Sequence, residues 1–267
     1  MHALWQGLAG SLSAAAVVLG VRRFRPEGAL AWYFIAGGML LNAAGTLVEM
    51  IAWRGFGVTT NPNAADVFWL ALYPGLLAGL GILAYRRAAF EDTGTMMFHT
   101  LVCVLLNLFV GVLAWELIVW RTQSDPTLTL ANRLVVTLYP LLDLIVLALL
   151  LRPLLGGGLR SPTFWLMAVA LLGFLAADVG WAGFLRSGAV PDATKQYLME
   201  ATSLSARAFL AAAALHPAVR AVAPAENGRV PPLGGLGWAG LLASALMVPS
   251  VILLQAALDL LYSVTSL

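Results

Sequence analysis

Four acidic residues, two tyrosines and one arginine occupy positions from which side chains could do chemistry. Asp143 sits inside the apolar run "VVTLYPLLDLIVLALLLR" (Val135 to Arg152), four residues after Tyr139. Residues four apart share one face of a helix. Asp66 precedes Tyr73 by seven residues, two turns on a helix, in "ADVFWLALYP" (Ala65 to Pro74). Asp178 lies in "AADVGW", and Glu200, Ser203 and Arg207 follow an i, i+3, i+7 line. A charged side chain at the middle of a bilayer costs roughly 2.5–3.5 kcal/mol on insertion scales. These groups are therefore expected to face the interior of a bundle and to find partners there. An ion pair between Arg207 and one of Asp143 and Asp178 is the natural expectation, either as a structural pair or as part of a site. If the faces converge, they form a polar, net-acidic cavity that takes a small ligand or an ion. Glu49 and Glu116 belong to the same level of the chain, and for them a place at the water boundary is the simpler expectation.

Other chemistry finds less support. His2, His99 and His216 are far apart, and only His99 and His216 share a level, a weak basis for a pair of haem ligands. There is no metal-binding histidine spacing and no glycine-rich phosphate loop. Lys195, the one lysine, falls at a helix end, where it could not carry a mid-membrane Schiff base. Cys103 is the only cysteine, which excludes an internal disulfide. No nucleophile stands beside a base, so no enzyme is read in this chain, and the residues specify no cofactor. A net charge of +2 does not point to nucleic acid.

The elements that must position these residues are apolar. Of 267 residues, 61% are hydrophobic and 10% charged, where a soluble domain carries about 25% charged residues. Long apolar runs recur, each near the roughly 20 residues that cross a hydrocarbon core. The expected fold is all-α: a polytopic transmembrane helical bundle of about eight helices in one integral membrane domain, 1–267. The spans are placed at roughly 3–21, 28–53, 65–85, 97–120, 132–151, 163–185, 194–215 and 236–262. The lipid bilayer is the partner that these apolar spans imply.

Nine arginines fall at one end of these spans (Arg22, Arg23, Arg25, Arg86, Arg87, Arg152, Arg160, Arg220 and Arg229). Four basic residues fall at the other (Arg54, Arg121, Arg186 and Lys195). The positive-inside rule makes the first end cytoplasmic. The N-terminus is then outside, the first helix is retained rather than cleaved, and the protein belongs in the plasma (inner) membrane. Trp5, Trp53, Trp69 and Trp120 at the outer level, and Trp32, Trp165 and Trp238 at the inner, read as interfacial belts.

The chain also repeats itself. Tyr73-Pro74 and Tyr139-Pro140 are 66 residues apart, and "EMIAW" (Glu49 to Trp53) is echoed by "ELIVW" (Glu116 to Trp120). A weaker third copy carries "DVGW" (Asp178 to Trp181) and ends in His216-Pro217 where the second ends in Arg152-Pro153. Parallel helical-hairpin repeats over roughly 28–87, 97–152 and 163–220 are expected, with the eighth helix at roughly 236–262. Pro74 and Pro140 each remove a hydrogen bond to the carbonyl four residues back. Two readings stand: a structural kink, or a bend that opens a cavity beside the tyrosines.

"ADVFWLALYP", "YPLLD", "AADVGW" and "AALHP" (Ala213 to Pro217) occur here in one order. Together they resemble the N-terminal multi-helix membrane region of actinobacterial GGDEF and GGDEF–EAL cyclic di-GMP signalling proteins. The matching positions are Asp66, Tyr73, Pro74, Tyr139, Pro140, Asp143, Asp178, His216 and Pro217. The resemblance implies a sensor whose signal is passed to a cytoplasmic signalling domain or partner protein. The GGDEF domain itself is absent from these residues, as is a further helix that would return the chain to the cytoplasm.

Three functional classes follow. A membrane sensor would bind its signal among Asp66, Tyr73, Tyr139, Asp143, Asp178, Glu200 and Arg207. A transporter or permease would use the same acids and broken helices. A lipid-acting enzyme would need a nucleophile or metal site that the sequence does not offer.

Overall fold

The computed structural model describes residues 2–254 apart from 59, 61, 124–127, 157, 188–192, 223–231, 233, 244–245, 248–249 and 252–253. All of its regular elements among the described residues are helical. They are α1 (His2–Phe24), α2 (Ala29–Phe56), α3 (Ala64–Leu70), α4 (Leu72–Ala88), α5 (Thr93–Ala114), α6 (Trp120–Gln123), α7 (Leu130–Leu155), α8 (Pro162–Ser187) and α9 (Ala193–Leu215). A π-helical turn, Trp115–Val119, joins α5 to α6. Among the described residues seven spans are long and apolar enough to cross a bilayer, α3 and α4 together forming one of them. The chain is thus a multi-pass membrane protein. Residues 235–243 are helical where the eighth span begins, with Trp238 against Tyr85 at 5.3 Å. Much of the rest of that span lies outside the described residues.

The spans close into a ring. α1 packs against α2, α2 against α3 and α4, α4 against α7, α7 against α8, α8 against α9, and α9 back against α1. α5 stands outside the ring against α7, and its Leu101, Leu105 and Phe109 are exposed, as lipid-facing residues should be. An apolar core that includes Ile35, Leu76, Leu80, Leu83, Leu150, Phe164, Leu171 and Leu210 fills the ring toward the arginine-rich end. Trp32 is 0% exposed in that core, so it is no part of an interfacial belt. Trp5, Trp53, Trp120, Trp165 and Trp238 remain exposed.

The two Tyr-Pro sites behave differently. α3 ends at Leu70 and α4 begins at Leu72, with Ala71 between them. Pro74 cannot donate to the Leu70 carbonyl, and the break places it in the first turn of a new helix, where no donor is needed. Pro140 instead lies inside the unbroken α7. The helix starts keep the 66-residue spacing. Asn63 caps α3, its side chain accepting from the Ala65 N–H while Asp66 Oδ2 accepts from the Asn63 N–H at 2.8 Å. Thr129, 66 residues later, caps α7 by accepting from the Asn132 N–H. Asp92 caps α5, and the hydroxyl and backbone N–H of Thr95 hold its carboxyl below the usual carboxylate range.

α2 and α4 touch through glycine. A Cβ on Gly75 would stand 2.6 Å from the Phe34 carbonyl oxygen and 2.9 Å from Gly38 Cα, both backbone atoms that cannot turn aside. Gly75→Ala is expected to lower stability by about 1–3 kcal/mol, the usual cost of overpacking. Gly81→Ala, which meets nothing within 4 Å, is expected to cost nothing. Unfolding of both variants in detergent micelles checks the contrast.

At the arginine-rich end, side chains tie the hairpins together. Arg152 Nη2 pairs with Glu91 Oε2 at 2.9 Å, and His99 Nδ1 lies 2.9 Å from Glu91 Oε1. Arg86, 66 residues before Arg152, approaches Glu27 at 3.9 Å in the preceding loop. Arg87 donates to the carbonyls of Gly156, Ala221 and Val222, closing off the ends of neighbouring elements. His216 accepts from the Ala218 N–H and caps the turn Pro217–Ala221. Both histidines considered as a haem pair thus have their Nδ1 engaged in protein contacts.

Candidate functional site

A cavity of about 300 Å³ occupies the arginine-poor end of the ring. Every ring helix contributes to it. α1 brings Gln6, α2 brings Asn42 and Glu49, α3 brings Asp66, α4 brings Tyr73, α7 brings Tyr139, α8 brings Asp178, and α9 brings Glu200 and Arg207. Six of the seven residues expected from sequence spacing line it directly. Asp143 lies just beneath, 2% exposed, and reaches the cavity through Tyr73. Glu49 lines the rim, whereas Glu116 is exposed on the π-helical turn and does not line the cavity.

The floor is organised around the Tyr73 hydroxyl. It lies 2.9 Å from Asp178 Oδ2, 3.1 Å from Asp143 Oδ1 and 3.3 Å from the Tyr139 carbonyl oxygen. The Tyr139 ring meets the Tyr73 ring edge-on, with centroids 6.3 Å apart. The Tyr139 hydroxyl in turn donates to Asp66 Oδ1 at 2.9 Å. The two tyrosines of the repeat therefore do different work. Tyr73 points down between two aspartates, and Tyr139 points toward the acid that caps α3.

The expected Asp–Arg ion pair is not formed. Arg207 donates from Nε and Nη2 to Asn42 Oδ1, at 3.1 and 2.7 Å, and no described carboxylate oxygen lies within ion-pair distance of it. Asp178 acts on Arg207 only through space. The reason is the helix break. With α3 ending at Leu70, the Trp69 carbonyl accepts a hydrogen bond from Asn42 Nδ2 at 3.1 Å, which turns Asn42 Oδ1 toward α9. Asn42 is 7% exposed and joins α2, α3 and α9.

Sequence spacing did not single out Asn42. The available signal was a lone amide in an apolar span, where an unpartnered polar group is costly. Trp69, assigned to a belt on sequence grounds, instead lines the cavity. Asn42→Ala would strand both the Arg207 guanidinium and the Trp69 carbonyl. It is expected to cost about 2–3 kcal/mol, from the penalty for buried groups left without partners. Asn42→Asp, which offers Arg207 a carboxylate, should retain more of the stability. Paired unfolding curves of the two variants in micelles check this.

Among the described residues no cluster of three or more His, Cys, Asp or Glu side chains is placed to hold a metal ion. Among the described residues the cavity is lined by four acidic side chains, Glu49, Asp66, Asp178 and Glu200, and one guanidinium, Arg207. Its chemistry suits a small polar solute with a positive group, held by carboxylate and phenol oxygens. Its volume is at the lower end of the roughly 300–1,000 Å³ typical of ligand pockets. Comparison of this chain with protein-family models, with curated proteins and with solved structures finds no match.

Proposed function

We propose that this protein is a membrane sensor that binds a small cationic or zwitterionic solute in the cavity and answers by a change of helix packing. One observation carries the reading: all six spans of the ring each place a polar group in one cavity. A solute there touches all of them, so its affinity depends on their arrangement, and that dependence is what lets a ligand shift a conformational equilibrium. By the positive-inside rule the cavity faces outward and the arginine-rich end faces the cytoplasm. The resemblance to GGDEF-associated membrane regions supports a cytoplasmic signalling domain or partner at that end, coupled to cyclic di-GMP turnover. The four acids set against one arginine favour a positive group on the solute.

Trp69 and Trp181 line the cavity and supply the readout. Purified protein in lipid nanodiscs is titrated with a panel of small amines and amino acids while tryptophan emission is recorded. A saturable change that disappears in Asp178→Asn supports the reading, and the absence of any response across the panel counts against it. A second reading, a permease for such solutes, is favoured by the break between α3 and α4 at the level of the cavity, since transporters build their sites from discontinuous helices. Uptake of a bound solute into proteoliposomes would select the permease, and binding without uptake would select the sensor.

A further inference from the structure

The hydrogen bonds at the cavity floor do not balance without one more hydrogen. The Tyr73 hydroxyl has a single proton to donate, yet three acceptors surround it: Asp143 Oδ1, Asp178 Oδ2 and the Tyr139 carbonyl. Asp143 Oδ1 and Asp178 Oδ2 both meet that one hydroxyl, at 3.1 and 2.9 Å, so the two carboxyl groups stand side by side. Two ionised carboxylates are acceptors only and cannot bond to one another. Asp143 Oδ2 is fully buried and has no partner among the described residues. Arg207 gives its hydrogen bonds to Asn42 and acts on Asp178 only through space, so it donates no hydrogen to the pair.

We infer that Asp143 and Asp178 share one bound proton, making the cavity floor a proton-binding site. The acid proton lies between the two carboxyl groups and satisfies Asp143 Oδ2, while the Tyr73 hydroxyl donates to the remaining carboxylate. The unit then carries one negative charge in place of two. Two carboxylates held against one hydroxyl repel when both are ionised, and one proton removes the conflict. The other charged or titratable groups facing the unit are Glu49 from α2, Asp66 from α3, Tyr139 from α7, and Glu200 and Arg207 from α9. Asp66 accepts from Tyr139 and from the Asn63 N–H, and Glu200 accepts from Gln196, so both act as acceptors and donate no hydrogen to the aspartates. The inference does not depend on whether the cavity serves sensing or transport, because the proton is required with the cavity empty of solute.

The test uses the full chain in nanodiscs without added solute. Infrared spectra are recorded near neutral pH in light and heavy water, with and without isotope-labelled aspartate. A carbonyl stretch of a protonated carboxyl group is expected. It should shift on aspartate labelling and vanish in both Asp143→Asn and Asp178→Asn, but survive in Glu116→Gln, which lies exposed and away from the cavity. The labelling arm needs no substitution and stands even if an Asn variant fails to fold. Absence of a labelled-aspartate band in the wild-type protein would overturn the inference, as would a band that survives both Asn substitutions. So would a melting temperature that rises when sodium replaces a bulky organic cation at constant pH, with the rise lost in Asp143→Asn. That result would make the floor a sodium site instead.

Discussion

Glu91→Ala is expected to lower the unfolding free energy by about 3–5 kcal/mol, the usual cost of removing one partner from a buried ion pair. Arg152 is 1% exposed and lies in the core at the arginine-rich end. Its Nη2 meets Glu91 Oε2 at 2.9 Å, and its Nη1 donates to the Met96 carbonyl at 3.3 Å. Without Glu91 the guanidinium keeps only a neutral acceptor, and His99 Nδ1 loses its partner as well. A second substitution separates stranded charge from lost packing. Adding Arg152→Met to Glu91→Ala removes the stranded charge, and apolar replacements of buried pairs are often neutral or better. The double variant should therefore recover most of the loss. Unfolding in mixed micelles, read by tryptophan emission, checks both values. A double variant no more stable than Glu91→Ala would show that the cost lies in packing rather than in charge.

Tyr73→Phe is expected to cost about 2–3 kcal/mol and to weaken solute binding at least tenfold. The lost hydroxyl carries the one proton donated to the aspartate pair, with Asp143, Asp178 and the Tyr139 carbonyl all in contact with it, and a buried acceptor left unmade costs roughly 1–3 kcal/mol, more when charged. The ring is retained, so the edge-on contact with Tyr139 survives and the effect reports the hydroxyl alone. Tyr139→Phe should cost less. Its hydroxyl serves only Asp66, which keeps the Asn63 N–H in its capping box. Comparing the two variants by unfolding and by tryptophan titration tests the unequal roles of the repeated tyrosines. Equal losses would contradict them.

Much of this site was legible in the sequence because bilayers penalise polar groups so heavily. Asp66, Asp143, Asp178 and Arg207 stood out against apolar spans, and the seven described spans fall close to the hydrophobic runs. The 66-residue echo of Tyr-Pro also carried through to the caps Asn63 and Thr129. What the sequence could not show was which helix stands opposite which. Helical spacing places side chains on a face and is silent about the neighbour that face meets. Arg207 reached Asn42 on α2 rather than the aspartate of its neighbour α8, because the break after α3 orients the Asn42 amide toward α9. The same limit hid the burial of Trp32 and the place of α5 outside the ring. Pro74 and Pro140 have identical local sequence, Tyr-Pro, yet only the first coincides with a break. Asn42 is present at that break to accept the cost of an opened backbone.

The central claim is that an outward-facing, water-filled cavity among the ring helices receives a solute. Ser203 lines the cavity between Glu200 and Arg207, and the sole cysteine, Cys103, is buried. Ser203→Cys in a Cys103→Ala background provides one thiol at the cavity wall. Intact cells are treated with a small membrane-impermeant thiol reagent, and labelling is compared with that of permeabilised cells. The account predicts labelling in intact cells, slowed by any solute that changes tryptophan emission. Labelling only after permeabilisation would place the cavity on the cytoplasmic side, and no labelling in either case would show that it is closed to water. Either result would contradict the account.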